Sequence, residues 1–525
     1  MKRVSLTSTR HLCWCGLLAI LELSGCGGPP RTSPPPPTGK VSIDAQSPTL
    51  GTVSKDVFGV NLSASMDLTN TYTTYSAMMN AFQNANLGMV RWPMAGISDY
   101  YHWQTNSFSS CSSIWNPIAR TTFDQFMQQV AQPLGVDVNI TVNYGSNSAC
   151  TGGGDPNEAA AWVDYANNQM HYGIKYWSIG NEQYYGSPIL GSTPTTPDFN
   201  VSPTDPGSAG SATYANLIAS RFYPLMKAKD PTILIGVDLV APDNNASTRT
   251  MPWDSTVLAN ASFDFVEVHW YGSNPANVAI SDSALLTSGI TYFSSAVAQL
   301  RSELAAAGKQ NVPIYVGEWG IPGPEGGSSQ SVTIVGALYT AAVYGELINA
   351  GIPMGGLWEG FESDCTPAPP GDYSKQDWFT SSLFQAYSVG SVPGCASAIP
   401  PPGTALPRAS ARAVAQQAFN MGDDVVAPKL SSLSTVKAYA GKRASGYGLL
   451  LVNLDENKDV SATVEIVNDS RSFVTSSLVY GKAQYDESQN NVWSQPMSQS
   501  LGVVSSSFAI DLPAWSVTSI TLSAQ

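Results

Sequence analysis

Two carboxylates sit where chemistry is easily done. The stretch YWSIGNEQYYG, residues 176–186, runs an apolar strand into Asn181 and Glu182, and PIYVGEWG, residues 313–320, runs another into Glu318. Carboxyl groups delivered from two different strands can face each other across a cleft. One, kept protonated, donates to a leaving oxygen; the other, kept ionised, attacks carbon. That pair is the equipment for cutting an acetal between sugars, provided the surroundings push the two pKa values apart. A single glutamate after a strand is ordinarily a solvated loop residue. Two of them, each beside glycine and aromatics and with few Lys or Arg nearby, fit that reading poorly.

The elements around them repeat. VFGVNLSA (57–64), GMVRWP (88–93), VDVNITVNYG (136–145), IKYWSIGNE (174–182), TILIGVDL (232–239), FDFVEVHWYG (263–272), PIYVGEWG (313–320) and MGGLWEGF (354–361) read as short strands, apolar on both faces. Helical spacing lies between them, near 74–86, 121–132, 211–228, 283–307, 330–350 and 408–420. The clearest helix is DPNEAAAWVDYANNQMHYG. There Asp155 caps, Pro156 opens the first turn, Glu158 completes a capping box and Gly173 ends the run. Strands alternating with helices over residues 57–423 predict an α/β fold, a (β/α)8 TIM barrel, whose working residues stand at strand C-termini. The first strand is not followed by the glycine fingerprint of a dinucleotide-binding open sheet. Residues 424–525 carry strands and turns, predicting a C-terminal antiparallel β-sandwich. Residues 41–56 precede the barrel and are expected to add a strand to that sandwich.

With the motifs placed, a resemblance follows. GNE after the fourth strand and a glutamate ending the seventh resemble glycoside hydrolase clan A, the retaining "4/7" superfamily, over nearly all of the chain past its first 40 residues. The texture is closest to the α-L-arabinofuranosidases and the neighbouring endoglucanase/xyloglucanase families. The resemblance implies that Glu182 is the acid/base and Glu318 the nucleophile. It gives Asn181 the hydroxyl next to the anomeric carbon, and His269 and Tyr271, in HWYG, the His-x-Tyr pair: tyrosine on the nucleophile, histidine near the acid/base. Arg91 would hold the nucleophile ionised. Asn143 and Tyr144, in VNYG, and the strand-terminal Trp319 and Trp358 are candidates to line the sugar site. Glu359 has no role assigned. RWPMAG after the second strand differs from the Arg-x-Pro-Gly-Gly usual in the arabinofuranosidases, so this chain departs in the residues around the bound sugar.

The rest of the chain speaks of context. Lys2 and Arg3, the apolar run 12–23 and LSGC, ending in Cys26, resemble a bacterial lipoprotein signal over residues 1–26, with Cys26 the lipidated residue. A Pro-rich tether follows at 27–40. The expected location is therefore that of an exported lipoprotein, on the outer membrane or on the cell surface or periplasmic face, touching membrane only through its lipid. Cys111, Cys150, Cys365 and Cys395 remain, an even set suited to disulfides. Pairing of 111 with 150 and 365 with 395 would tie nearby loops. A net charge of −14 argues against nucleic acid, and 4 His with long Cys spacings argue against a metal site. No cofactor is expected. The partner is a polysaccharide or oligosaccharide, whether cut or, as a rival reading, only bound for import.

Overall fold

The computed structural model describes residues 39–525 except 67, 70–74, 95, 110–117, 186–209, 243–245, 272–280, 322–329, 331–333, 365–383, 388–407, 410–418 and 485–495. Eight parallel strands close into a barrel: β1 Gly59–Asn61, β2 Met89–Trp92, β3 Asp137–Val142, β4 Tyr176–Ile179, β5 Leu234–Asp238, β6 Phe265–Trp270, β7 Ile314–Trp319 and β8 Met354–Leu357. β8 returns to β1 through Leu357 opposite Val60. Helices at Tyr75–Asn84, 123–134, 156–169, 211–229, Ala246–Asn260, 282–306 and Ile334–Asn349 alternate with the strands. The chain is a (β/α)8 barrel.

Helix 156–169 shows why these segments pack. Asp155 accepts from Asn157 N, Pro156 takes the first turn, and Ala159, Ala160, Trp162 and Val163 are buried. The Trp162 ring lies against Trp92, Phe123 and Trp177, at centroid distances of 5.9, 5.3 and 6.0 Å. Glu158 does not form the expected capping box. Its carboxylate faces His102 Nδ1 at 3.0 Å, a buried partner that outcompetes an exposed backbone N–H. Helix Ala246–Asn260 escapes sequence reading because NNASTRTMPWDS is polar and contains Pro252. Trp253, Val257 and Leu258 are nevertheless buried against the barrel, so packing rather than propensity holds it. Of the helix expected over 408–420, Arg408–Ala409 instead pair with strand Phe384–Tyr387, and 410–418 lie outside the described residues.

The C-terminal strands form two sheets. The larger orders Gly51–Thr52, Asp424–Val426, Val436–Arg443, Gly446–Asn453, Ser516–Ala524, Phe473–Gly481 and Met497–Val504; the smaller orders Lys429–Ser431, Gly39–Asp44, Val460–Val467 and Ser507–Leu512. Strand Gly39–Asp44 runs parallel to Val460–Val467 in an otherwise antiparallel sheet. Alternating burial along Val460–Val467 turns one face of that strand into the core between the sheets. The larger sheet lies on helix Ile334–Asn349, which is buried nearly all round, and Tyr439 OH donates to Glu346 Oε1 at 2.9 Å. Tyr439, Leu450, Val452 and Val517 thereby join the barrel's own apolar core. Among the described residues, no helix is long and apolar enough to cross a membrane.

Candidate active site

β4 ends at Ile179 and the chain turns sharply. Gly180 takes φ +78°, where an added Cβ would sit 2.7 Å from Gln183 Nε2. Glu182 itself takes φ +52°, a left-handed conformation that costs a non-glycine residue about 1 kcal/mol or more and persists only when its surroundings impose it. Two buried aspartates impose it. Asp99 Oδ2 accepts from Asn181 N (3.3 Å) and Gln183 Nε2 (2.7 Å); Asp238 Oδ2 accepts from Gln183 N (3.3 Å). The turn is clamped on both sides of Glu182.

β7 places the second carboxylate by a bulge. Val316 lies opposite Val268, but Glu318, not Gly317, lies opposite His269. The extra residue re-aims the strand end, as bulges near active sites do. Only glycine fits there, because a Cβ on Gly317 would lie 2.1 Å from Glu267 Oε1. Bulge and turn bring one oxygen of Glu182, one of Glu318 and a nitrogen of His269 within 4.8 Å of one another.

Beneath them the barrel interior is polar. Arg91, fully buried, points its Nε at Glu267 Oε1 (2.7 Å). Its Nη1 donates to Glu318 Oε1 (2.8 Å) and Asn61 Oδ1 (3.1 Å), and its Nη2 to Asn181 Oδ1 (2.7 Å). A guanidinium can only donate, so Glu318 Oε1 is an acceptor, and the Asn181 amide is oriented with its NH2 as the remaining donor. Tyr271 OH donates to Glu318 Oε2 at 2.7 Å. His269 spans the site: Nδ1 meets Glu182 Oε1 (2.9 Å) and Nε2 meets Glu267 Oε1 (3.2 Å). Ser178 Oγ also donates to Glu267.

Both ring nitrogens of His269 face carboxylates. Burial alone would lower its pKa, but Glu318, Glu182 and Glu267 raise it to about 10, so the ring is an imidazolium. For Glu267, burial would raise the carboxyl, yet Arg91, His269 and Ser178 hold it below the usual range. Burial pushes Glu318 up and Glu182 adds to that; His269, Arg91 and Tyr271 pull it back. Glu182, His269 and Glu318 are spaced as metal ligands could be.

The expected site residues divide. Glu182, Glu318, Asn181, His269, Tyr271 and Arg91 form one connected cluster. Tyr144 and Trp319 do not line it: both are fully buried, Tyr144 with its ring 5.0 Å from Tyr214, Trp319 edge-on to Tyr344 at 4.9 Å. The residue after Glu318 on a strand must face the other way, toward the helices. Asn143 is committed to backbone, accepting from Ser146 N in its own loop and donating to Tyr101 O in the loop after β2. Trp358 stays half-buried just past β8, its backbone N–H donating to Trp319 O at 2.8 Å. Cys150 is disulfide-bonded, while Cys26, Cys111, Cys365 and Cys395 lie outside the described residues. Sequence reading missed Glu267, Asn61, Asp99 and Asp238. A charge two residues before His269, on a strand buried on both faces, was the available signal for the first.

No protein-family model and no curated protein matches the sequence. Solved structures do. An α-L-arabinofuranosidase from Thermotoga maritima, in an arabinose complex, superposes with TM-score 0.68 at 14% identity, over 92% of this chain and 100% of that one. A Paenibacillus polymyxa xyloglucanase of glycoside hydrolase family 44 gives 0.59 at 12%, over 93% and 100%. A bifunctional glucanase-xylanase from a metagenome library gives 0.58 at 14%, over 93% and 99%. The chain carries the fold of the clan A glycoside hydrolases. The likeness spans barrel and sandwich together.

Proposed function

We propose that this chain is a retaining glycoside hydrolase acting on cell-wall polysaccharide or its oligosaccharides, of the α-L-arabinofuranosidase type. The observation that carries the reading is the pair Glu182 and Glu318, from the ends of β4 and β7, with oxygens within 4.8 Å. Retaining enzymes hold their carboxyl groups about 5 Å apart, whereas inverting ones leave about 6.5–9.5 Å for a water.

The chemistry follows from the contacts. Glu318, fixed by Arg91 and Tyr271, attacks the anomeric carbon as Glu182 gives its proton to the departing oxygen. The C–O bond to the leaving group breaks and a glycosyl ester on Glu318 forms. Glu182, now a carboxylate, takes a proton from water, whose oxygen displaces Glu318. The Asn181 amide donates to the neighbouring hydroxyl, a bond that strengthens as charge develops on the ring. Among the described residues, Arg91 and His269 are engaged with the site's own carboxylates and amides, which favours an uncharged sugar over a uronide. An endo-β-1,4-glucanase or xyloglucanase is the second reading, favoured by the shared fold of the family 44 xyloglucanase. The β-xyloside arm of the test covers the β-xylosidases. The signal-like residues 1–26 support an exported lipoprotein anchored through Cys26.

The test is a panel of aryl glycosides: α-L-arabinofuranoside, β-xyloside, β-glucoside, β-cellobioside and β-glucuronide, each run beside Glu318→Ala. Turnover of one neutral member, abolished in the variant and releasing product of retained anomeric configuration, is expected. Inverted product would refute the mechanism. Silence on the panel and on arabinoxylan and xyloglucan would leave a sugar-binding protein.

A further inference from the structure

Glu359 is a carboxylic acid that the mechanism leaves without work. It lies just past β8, on the face where Glu182 and Glu318 act, and it is fully buried. Both of its carboxyl oxygens lack a hydrogen-bond partner among the described residues. Native interiors rarely tolerate one such atom, since each costs about 1–3 kcal/mol, and a buried orphan in a native fold calls for a functional explanation.

The backbone on either side of it is tied to neighbouring strands. Gly360 N donates to Asn61 O at 3.0 Å, continuing the pairing with β1. A Cβ on Gly360 would meet Val60 and Leu62, on the outer side of β1. Glu359 stands between that glycine and Trp358, past the last residue of β8. One residue earlier, the Trp358 carbonyl oxygen and the Tyr271 ring both lie 3.6 Å from where Gly320 would carry a Cβ, and that tyrosine holds Glu318. Glu359 also feels the Glu318 charge.

We propose that Glu359 is a specificity residue whose carboxyl group hydrogen-bonds a hydroxyl of an uncharged sugar bound beside Glu318. This rests on the glycosidase reading above. Burial first, and then Glu318, raise the Glu359 pKa well above the usual carboxylate range, so the group is a neutral acid. A neutral acid offers one O–H donor and one carbonyl acceptor, the pair a sugar hydroxyl can satisfy at once. An ionised carboxylate there would repel Glu318 and cost the nucleophile; a neutral one adds selectivity without adding charge. A site built to pair a hydroxyl rejects a sugar lacking it far more strongly than an apolar wall does.

The experiment compares the full chain with Glu359→Gln and Glu359→Leu, Glu318→Ala serving as the turnover control. Gln keeps a donor and an acceptor without charge; Leu keeps the volume and removes both. kcat/KM is measured on the aryl glycoside the wild type prefers and on its deoxy analogues, with Tm for each protein. Gln is expected to stay within about threefold of wild type and Leu to fall about 10- to 200-fold, with Tm unchanged or higher. One deoxy analogue should lose activity with wild type yet lose nothing further with Leu. Titration of free L-arabinose, D-xylose and D-glucose reads the same contact without turnover. Leu should weaken the sugar bound by wild type at least tenfold, and Gln should not.

Equal kcat/KM and equal sugar binding in all three proteins would overturn the proposal, as would Gln failing as badly as Leu, which means an ionised group is required. If no substrate is cut but Leu selectively weakens monosaccharide binding, the glycosidase reading fails and the role of Glu359 stands. If neither turnover nor binding is seen in any protein, both fall.

Discussion

Replacing Glu267 with glutamine should move the alkaline limb of the pH–rate profile to lower pH. In the proposed mechanism, glycosyl transfer to Glu318 needs one proton on the Glu182–His269 pair. With Nδ1 on Glu182 Oε1, that proton rests on the imidazolium or on Glu182, and the limb reports its loss from the pair as a whole. Glu267 lies 3.2 Å from Nε2 and helps lift the His269 pKa to about 10. At 3.2 Å a unit charge is worth about 5 kcal/mol at an effective dielectric of about 20. Side-chain relaxation and entering water discount roughly half of that, and the remainder corresponds to a fall of roughly two pH units. The sign is fixed: removing a negative charge beside a cation makes the proton easier to lose. Glutamine retains an oxygen for Arg91 Nε, so the floor keeps its packing. The assay is kcat/KM of wild type and Glu267→Gln from pH 4 to 11 on the preferred aryl glycoside, with circular dichroism at each pH. A folded variant whose alkaline limb stays with the wild type's would refute the coupling of Glu267 to the catalytic proton.

Other perturbations follow from the same contacts. Tyr271→Phe deletes the 2.7 Å bond onto Glu318 Oε2. Hydrogen bonds to charged groups contribute about 1.5–3 kcal/mol, so kcat should fall roughly 10- to 150-fold with little change in Tm. Arg91→Met strands Glu267 and Glu318 in the interior; urea unfolding should show a loss of about 3–5 kcal/mol along with activity. Stability should also depend on pH at both ends. His269 has a raised folded-state pKa, so its contribution is complete below its ordinary 6.5 and is lost as pH rises through about 10. Glu267 has a lowered one, so its contribution is present above its ordinary 4.5 and is lost as pH falls below that. Tm measured from pH 3 to 11 should therefore decline in acid and between about 6.5 and 10, and the alkaline decline should shrink in Glu267→Gln.

Much of this molecule was legible in its sequence because strand ends are where a barrel displays chemistry. The eight strands, the sandwich and the positions of Glu182, Glu318, Asn181, His269, Tyr271 and Arg91 all come from apolar runs that stop at a polar residue. Tyr144 and Trp319 show the limit of that rule. Aromatics at strand ends suit sugar stacking by type, but side-chain alternation, not type, decides which face they serve, and here it sends both to the core. Glu158 shows a second limit. A capping box is a local inference, and a buried histidine from a distant loop overrides it.

The same alternation, read inward, would have found more. Asn61 ends β1, Arg91 stands near the end of β2, and Asn139, Ser178 and Glu267 lie within their strands; all five are fully or almost fully buried among otherwise apolar runs. A strand buried on both faces carries a polar residue only if another strand answers it, because an unpaired polar group there costs several kcal/mol. Glu267 sits two residues before His269 and so shares its face. That spacing alone requires a cation or a donor across the barrel from Glu267, and Arg91 was the arginine already assigned to the mouth. The floor is therefore part of the site. The charges that keep Glu318 an acceptor are held in register by Glu267, and Gly317 is a glycine because Glu267 occupies the space its side chain would need.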